Sequence, residues 1–340
     1  MKTGLTHGSR WKRLAQNLSL ALGVFLCCIA MTEIVLRIKG YGNLEIYEPD
    51  PVLYWKLKPN QDCYTKVDHR PVHINALGTR GSDFTLLKST NTYRILALGD
   101  SRTFGWGLAE PETYCCGLQT LLRQKSGDRP VEVINAGVNA WSFQQMSVYL
   151  RDYGLRYSPD AVVLGEANLW TQFSEKNSPE FVRKFMQRVR LKNLLRHSAL
   201  YHYLVEIKLQ DFYQRHRAKF IPVDPKADPL FKEQQQKDPE AEFRLAIETI
   251  CTNALAHQVT PVLLYLPTLA DLAGTNESPT LRIKRELSVK LGIPFVDVTT
   301  NVQPKAKGLY LDADPVHFNS EGNEIIARQL AETVGPLMSQ

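Results

Sequence analysis

The sequence holds few cysteines, and none of them is spaced as in a metal site. There are six among 340 residues, and no C-x-x-C pair occurs. The adjacent Cys115 and Cys116 fall on a predicted helix and point to opposite sides of it, so we expect buried free thiols and neither a metal nor a cofactor. The net charge of +6 is modest and no stacking aromatic motif accompanies it, so no nucleic-acid partner is expected.

Long hydrophobic runs are rare, and the one that stands out lies near the N-terminus. Residues 18–36 carry a single charge, Glu33, and are close to the ~20 apolar residues that span a bilayer. Ahead of them stand four basic residues and no acid: Lys2, Arg10, Lys12 and Arg13. By the positive-inside bias, this pattern predicts a single-pass protein with a cytoplasmic N-terminus and a periplasmic or extracellular domain after Lys39.

A cleaved signal peptide is the alternative for this segment. Cys28-Ile29-Ala30 resembles a small-x-small cleavage site. The apolar pattern nevertheless continues past this point through residues 34–36, which favours an uncleaved membrane anchor.

The rest of the chain has the composition of a globular protein, with 44% apolar and 22% charged residues. From Arg94 onwards, short apolar runs alternate with helical patterns, which predicts an α/β fold with a parallel sheet. The predicted strands are residues 95–98, 131–135, 161–164, 261–266 and 294–298. The predicted helices are residues 114–124, 143–153, 241–257, 280–291 and 323–334.

These patterns divide the chain into four segments. We predict a cytoplasmic tail (1–16), a transmembrane helix (17–38), an extended lead-in that contains a hairpin and packs on the main domain (39–92), and the main domain (93–338). Within the main domain, residues 178–237 form a long, basic and aromatic helical insertion. It is either a lid or membrane-surface flap, or an insertion that packs its apolar face on the domain, and the second alternative is favoured.

Two motifs at the ends of the main domain carry chemistry. Gly99-Asp100-Ser101 follows the first strand, at the sheet edge where active sites of parallel α/β proteins lie. Near the C-terminus, Asp314 stands three residues before His317, within reach of the ring Nδ1–H, which leaves Nε2 free to take a proton from a serine. Asp312 is another carboxylate that could orient His317, but its spacing from the histidine suits this role less well than that of Asp314.

Together with Gly137 and Asn168, which follow the second and third strands, these motifs resemble the SGNH/GDSL hydrolase family. The resemblance covers most of residues 94–330, excluding the basic insertion, and implies a three-layer α/β/α sandwich with a flavodoxin-like parallel sheet. It also implies that Ser101 is the nucleophile, His317 its base and Asp314 the residue that orients His317. The oxyanion would be held by the backbone N–H groups of Ser101 and Gly137 and by the side chain of Asn168.

The third block departs from the family pattern, because Glu166 stands where a glycine is expected and Leu169 where an acid is expected. Arg102, directly after the serine, is a candidate for holding an anionic substrate group or, alternatively, makes a structural salt bridge.

The resemblance implies an esterase that acts on an acyl ester of a glycan, a lipid or another compound. The alternatives are an O-acyltransferase in envelope polysaccharide modification and a non-catalytic binding module on the same fold.

Overall fold

The computed structural model describes residues 7–66, 69–167, 178–209, 212, 239–274, 277–312 and 314–339. Its first element is a long helix, α1 (His7–Ile38). Two antiparallel hairpins follow: β1 (Tyr47–Asp50) with β2 (Tyr54–Leu57), and β3 (Gln61–Tyr64) with β4 (Pro71–Ile74). The lead-in thus contains two hairpins where the sequence predicted one.

The centre of the molecule is a sheet of five parallel strands. They are β5 (Tyr93–Gly99), β6 (Val131–Gly137), β7 (Ala161–Leu164), β8 (Thr260–Tyr265) and β9 (Phe295–Asp297). Their spatial order is β6-β5-β7-β8-β9, and every neighbouring pair is parallel. This order, with the second strand outside the first, is the flavodoxin-like order. The predicted fold and all five predicted strands are confirmed.

Helices and short helical turns connect the strands. The helices are α2 (Ser101–Phe104), α3 (Tyr114–Lys125), α4 (Phe143–Asp152), α5 (Pro179–Arg196), α6 (Ala199–Tyr201), a π-helix (His202–Leu209), α7 (Pro239–Ala256), α8 (Leu269–Ala273), α9 (Pro279–Leu291), α10 (Thr299–Val302) and α11 (Ser320–Val334). Turns of 3₁₀-helix cover Glu110–Glu112, Gly154–Tyr157, Gln303–Gly308 and Gly335–Ser339. The five predicted helices correspond to α3, α4, α7, α9 and α11. Periodicity did not predict α2, α8 and α10, because helices of four or five residues are too short to show it.

The sheet has a hydrophobic core on each face, which makes the domain three-layered. Every residue of β5 is buried. Leu96 and Leu98 join the core that contains α4, α7 and α9, whereas Ile95 and Ala97 join the core that contains α3 and α11. The near-continuous apolar sequence of β5 reflects this burial on both faces.

The first hairpin packs between the insertion and the loop after β6. The Trp55 ring stacks on Phe185 of α5, with ring centroids 5.4 Å apart. Its indole N–H donates to the Asn139 carbonyl at 3.1 Å, and the Trp141 indole N–H donates to the Trp55 carbonyl at 3.0 Å. The beginning of the insertion therefore packs on the lead-in, and the lead-in supports the loop that contains residues 139–141.

Helix α1 stands apart from both cores. Residues Trp11–Ile38 are long and apolar enough to cross a membrane, and their most apolar window, with a mean hydropathy of 2.2, is not buried in the protein. Its C-terminal end contacts α6 through Glu33, whose two carboxylate oxygens accept hydrogen bonds from the backbone N–H groups of Ala199 and Leu200 at 2.9 and 2.8 Å.

Candidate active site

Ser101 lies at the carboxyl end of β5, where the chain turns directly into α2. Asp100 caps this short helix, because its Oδ1 accepts a hydrogen bond from the Arg102 N–H at 2.9 Å. Gly99 allows the turn: a Cβ atom at this position would lie 1.9 Å from the Thr103 hydroxyl oxygen, so a larger residue would push α2 off the strand. The turn places the Ser101 side chain at the edge of the sheet, partly exposed.

The structure brings Ser101, His317 and Asp314 together. The Ser101 Oγ lies 2.8 Å from the His317 Nε2, across a separation of 216 residues in sequence. The His317 Nδ1 lies 2.7 Å from the Asp314 Oδ2. Both distances are within hydrogen-bonding range, so two consecutive hydrogen bonds connect the hydroxyl, the imidazole and the carboxylate.

Asp314 is held in its ionised form. Burial raises the pKa of its carboxyl group, but the hydrogen bond and charge of His317 and the backbone N–H groups of Val316 and His317 together outweigh burial. The pKa of Asp314 therefore lies below its ordinary value of 3.8. The Oδ1 atom accepts the two backbone bonds, at 2.8 and 3.1 Å, which leaves Oδ2 for the imidazole. An ionised carboxylate in this position stabilises a protonated imidazole.

The loop that carries His317 is fixed to the neighbouring helices. The Asn323 side chain is buried on α11, and its Oδ1 accepts a hydrogen bond from the Tyr114 N–H at 3.0 Å, at the start of α3. Its Nδ2 donates to the Phe318 carbonyl at 3.2 Å, directly after the histidine. These contacts fix the position of the imidazole relative to the sheet.

Gly137 does not offer a free N–H group to the site, contrary to its predicted role. Its N–H donates to the Asn135 Oδ1 at 3.0 Å. Packing requires a glycine at position 137, because a Cβ atom here would lie 2.2 Å from the Phe104 backbone nitrogen. Sequence reasoning placed a backbone donor at the first glycine after the strand, but this glycine accommodates α2.

Ala140, three residues further on, lies in the site. It lines the cleft together with Ser101 and His317, and its φ angle of 64° is in the left-handed region, which is uncommon for a residue with a side chain. Within the described residues, the N–H groups of Ala140 and Ser101 have no hydrogen-bond partner. No feature of the sequence marked Ala140 as a site residue.

Asn168, the third predicted oxyanion donor, lies outside the described residues. Just before it, Glu166 forms a buried ion pair with Lys284 of α9, with a Nζ–Oε1 distance of 2.6 Å and side chains that are 3% and 0% exposed. Lys284 also donates to the carbonyls of Gly165 and Leu264, at 2.9 and 2.6 Å. Burial lowers the pKa of the Lys284 ammonium, and Glu166 opposes that shift.

Arg102 pairs with Asp100 on its own turn, at 2.7 Å. Its other contacts are the carbonyls of Leu266 and Ala167, at 3.3 and 3.2 Å, and its side chain is largely buried. Of the two roles predicted for Arg102, these contacts fit the structural salt bridge, because its side-chain N–H groups donate to protein oxygens.

A cleft of about 590 Å³ opens over Ser101 and His317. Most of the side chains that line it are polar, among them Asn139, Thr268, Asp271, Ser278 and Thr280, and the aromatic ones are Trp106 and Tyr265. Trp106 also packs near the His317 imidazole, with ring centroids 5.9 Å apart. The site therefore offers the Ser101 hydroxyl, the His317 imidazole and, in the part of the chain that the structure describes, unbonded backbone N–H groups beside a cleft large enough for a small ligand.

No family model matches this chain, and a search of curated proteins finds no match. Solved structures of similar fold include a lipolytic protein of the G-D-S-L family from Desulfitobacterium hafniense (13% identity, 70% of this chain and 98% of that chain covered, TM-score 0.42). A catalytic mutant of an acetylxylan esterase from Geobacillus stearothermophilus is similar at 14% identity, with 73% of this chain and 95% of that chain covered and a TM-score of 0.44. A lipase/acylhydrolase from Enterococcus faecalis is similar at 16% identity, with 72% and 96% covered and a TM-score of 0.44. The similarity to these structures is one of fold.

Proposed function

We propose that this protein is a serine esterase in which Ser101 attacks the carbonyl carbon of a carboxylic ester. The observation that carries the proposal is the continuous chain of hydrogen bonds from the Ser101 Oγ through His317 to Asp314, at 2.8 and 2.7 Å. Nucleophile, base and orienting acid in this arrangement are the elements that covalent acyl transfer needs.

The steps follow from these positions. As the Ser101 Oγ bonds to the carbonyl carbon, the His317 Nε2 takes the hydroxyl proton, and the Asp314 carboxylate stabilises the imidazolium that forms. His317 then returns the proton to the leaving alcohol, which leaves an acyl group on Ser101. Water then attacks this acyl-enzyme as His317 takes its proton, and His317 returns that proton to the Ser101 Oγ as the acid leaves.

The negative oxygen of the tetrahedral intermediate needs hydrogen-bond donors, and the proposal assigns them to backbone N–H groups. Ser101 and Ala140 line the cleft, and among the described residues their N–H groups have no acceptor, whereas the N–H of Gly137 is bonded to the Asn135 side chain. Each such donor typically contributes about 3 kcal/mol to lowering the barrier. The Asn168 side chain, carried over from the resemblance, is proposed as a third donor.

The cleft presents polar side chains beside apolar surface, which suits a small ester such as an O-acylated envelope glycan, whose hydroxyl groups and acyl group match the two kinds of surface. We also propose that α1 anchors the protein in a membrane, with the N-terminus cytoplasmic and the catalytic domain in the periplasm or outside the cell. Support for the anchor comes from the length and hydropathy of Trp11–Ile38 and from the basic residues ahead of it.

The proposal is tested by hydrolysis of p-nitrophenyl acetate by the full chain in detergent. Ser101→Ala and His317→Ala should each lower kcat/KM by roughly 10³-fold or more. Ser126→Ala, at the end of α3 and outside the cleft, should leave the rate unchanged. Equal rates for the wild type and the Ser101 variant would contradict the proposal.

The same assay addresses the two alternatives. An O-acyltransferase would pass the acyl group to an added alcohol or sugar acceptor faster than to water, so the acylated acceptor would accumulate in place of free acid. A binding module would show no turnover on any ester although it is folded.

A further inference from the structure

The first half of the insertion exposes six large apolar side chains next to the end of α1. They are Leu191, Leu194 and Leu195 on α5 and Leu204, Val205 and Leu209 on the π-helix, with exposures between 39% and 70%. We call these six residues the leucine patch. On α5 the spacing i, i+3, i+4 places three of them on one face, although Phe181 and Phe185 of the same helix pack on the core.

The hydrogen bonds between α1 and the insertion place this patch relative to the membrane. Glu33 binds the N–H groups at the start of α6, and the Arg37 guanidinium donates to the His197 carbonyl at 2.6 Å. His197 and α6 lie in sequence between the two halves of the patch. Both halves are therefore adjacent to the last two turns of the anchor.

The length of the anchor determines how deep the segment that binds Glu33 lies relative to the membrane. From Arg13, the last basic residue of the N-terminal cluster, to Glu33 is 20 residues, or roughly 30 Å of helix, which equals the thickness of the hydrocarbon core. If Arg13 stays at one membrane surface, Glu33 lies at the other. The segment that binds Glu33 must then lie at the level of the lipid headgroups.

Two further observations fit a lipid surface. The end of α5 cannot swing freely, because the Arg196 side chain forms a buried ion pair with Glu45 of the lead-in at 3.0 Å. Exposed cations border the patch: Arg37, Lys39 and Lys208. Apolar side chains beside cations are the composition of segments that insert into the headgroup region of anionic membranes.

We infer that the leucine patch inserts into the anionic membrane leaflet around the anchor, so that the catalytic domain is held at a fixed height and orientation with its base on the lipid. This inference rests on the proposed membrane anchor. It adds a second, peripheral contact that involves residues 191–209 and is separate from the cleft.

The test uses the full chain reconstituted in vesicles of phosphatidylglycerol and phosphatidylcholine. A phosphatidylglycerol with a diazirine in its acyl chain is activated by light, and the modified peptides are mapped by mass spectrometry. We expect lipid adducts on residues 11–38 and also on residues 191–209. The Leu191→Asp/Leu194→Asp variant should show about fivefold fewer adducts on residues 191–209, since carboxylates oppose insertion. Val289→Asp, which changes an even more exposed apolar residue on α9, should leave these adducts unchanged.

Adducts on residues 11–38 alone would overturn the inference and leave the anchor intact. Adducts on neither segment would overturn the anchor and the inference together. Cross-links between two copies of the chain through residues 191–209, without lipid adducts there, would overturn the inference in favour of self-association. Circular dichroism of each variant shows that it is folded.

Discussion

The buried ion pair between Lys284 and Glu166 should contribute strongly to the stability of the domain, and Lys284→Met tests it. Methionine preserves the length and most of the volume of the side chain but leaves the Glu166 carboxylate without its cation. The carbonyls of Gly165 and Leu264 also lose a donor. Because the two charged side chains are 0% and 3% exposed, solvent does not screen the loss.

Removing one partner of a buried ion pair typically costs about 3–5 kcal/mol. For a domain of this size, a loss of that magnitude lowers Tm by roughly 10 °C. The assay is thermal unfolding followed by circular dichroism, with the full chain in detergent. Lys290→Met is the matched control: Lys290 lies on the same helix and pairs with Glu248 at 2.5 Å, but is 62% exposed, so its loss should cost about 1 kcal/mol or less.

The reverse substitution sharpens the test. Glu166→Gln preserves the shape of the side chain but leaves the Lys284 ammonium in the interior without its anion, so it should also destabilise the domain. The double variant Lys284→Met/Glu166→Gln should recover a large part of the loss, since neither charge then remains unpaired. Equal destabilisation by Lys284→Met and Lys290→Met, or an additive double variant, would refute the reasoning.

Three other predictions concern the site. Asp314→Asn should lower kcat/KM by roughly 10⁴-fold, because the amide favours the wrong imidazole tautomer; p-nitrophenyl acetate hydrolysis measures this, and wild-type activity in the variant would exclude the role of Asp314. Since the folded-state pKa of Asp314 is lowered from 3.8, its contribution to stability is fully present above about pH 5 and is lost as the pH falls through the lowered value. Urea unfolding from pH 6 to pH 2 should therefore show wild type and Asp314→Asn converging in acid, and a constant difference would contradict this assignment. Ala140→Gly should stabilise the domain by about 0.5–1 kcal/mol and retain activity, because the φ of 64° suits glycine, whereas Ala140→Val should destabilise it; equal Tm values for both variants would show that the backbone here is unstrained.

The strands of the sheet could be predicted from the sequence because their burial leaves a direct pattern. A strand covered on both faces, such as Ala161–Leu164, has to be apolar throughout. The proximity of Ser101 and His317 could also be predicted from the sequence. The first motif follows a strand end and the second leads into the last helix, and both positions lie at the carboxyl edge of a parallel sheet.

The other contacts of the site depend on three-dimensional packing that has no local pattern. Gly137 was assigned a role as donor from its place after a strand, but whether an N–H is free depends on the orientation of the Asn135 side chain. Lys284 is 118 residues from Glu166, and a lysine on an amphipathic helix gives no sign that it is buried. The conformation of Ala140 likewise arises from a loop held by the lead-in, not from its own side chain.

The central claim is that Ser101 is a nucleophile activated by His317. The most direct measurement treats the full chain in detergent with a fluorophosphonate and locates the adduct by mass spectrometry. The account predicts one adduct on Ser101, formed far more slowly in His317→Ala and absent in Ser101→Ala. A folded wild-type chain that remains unlabelled, or that is labelled at another serine with equal speed, would contradict it.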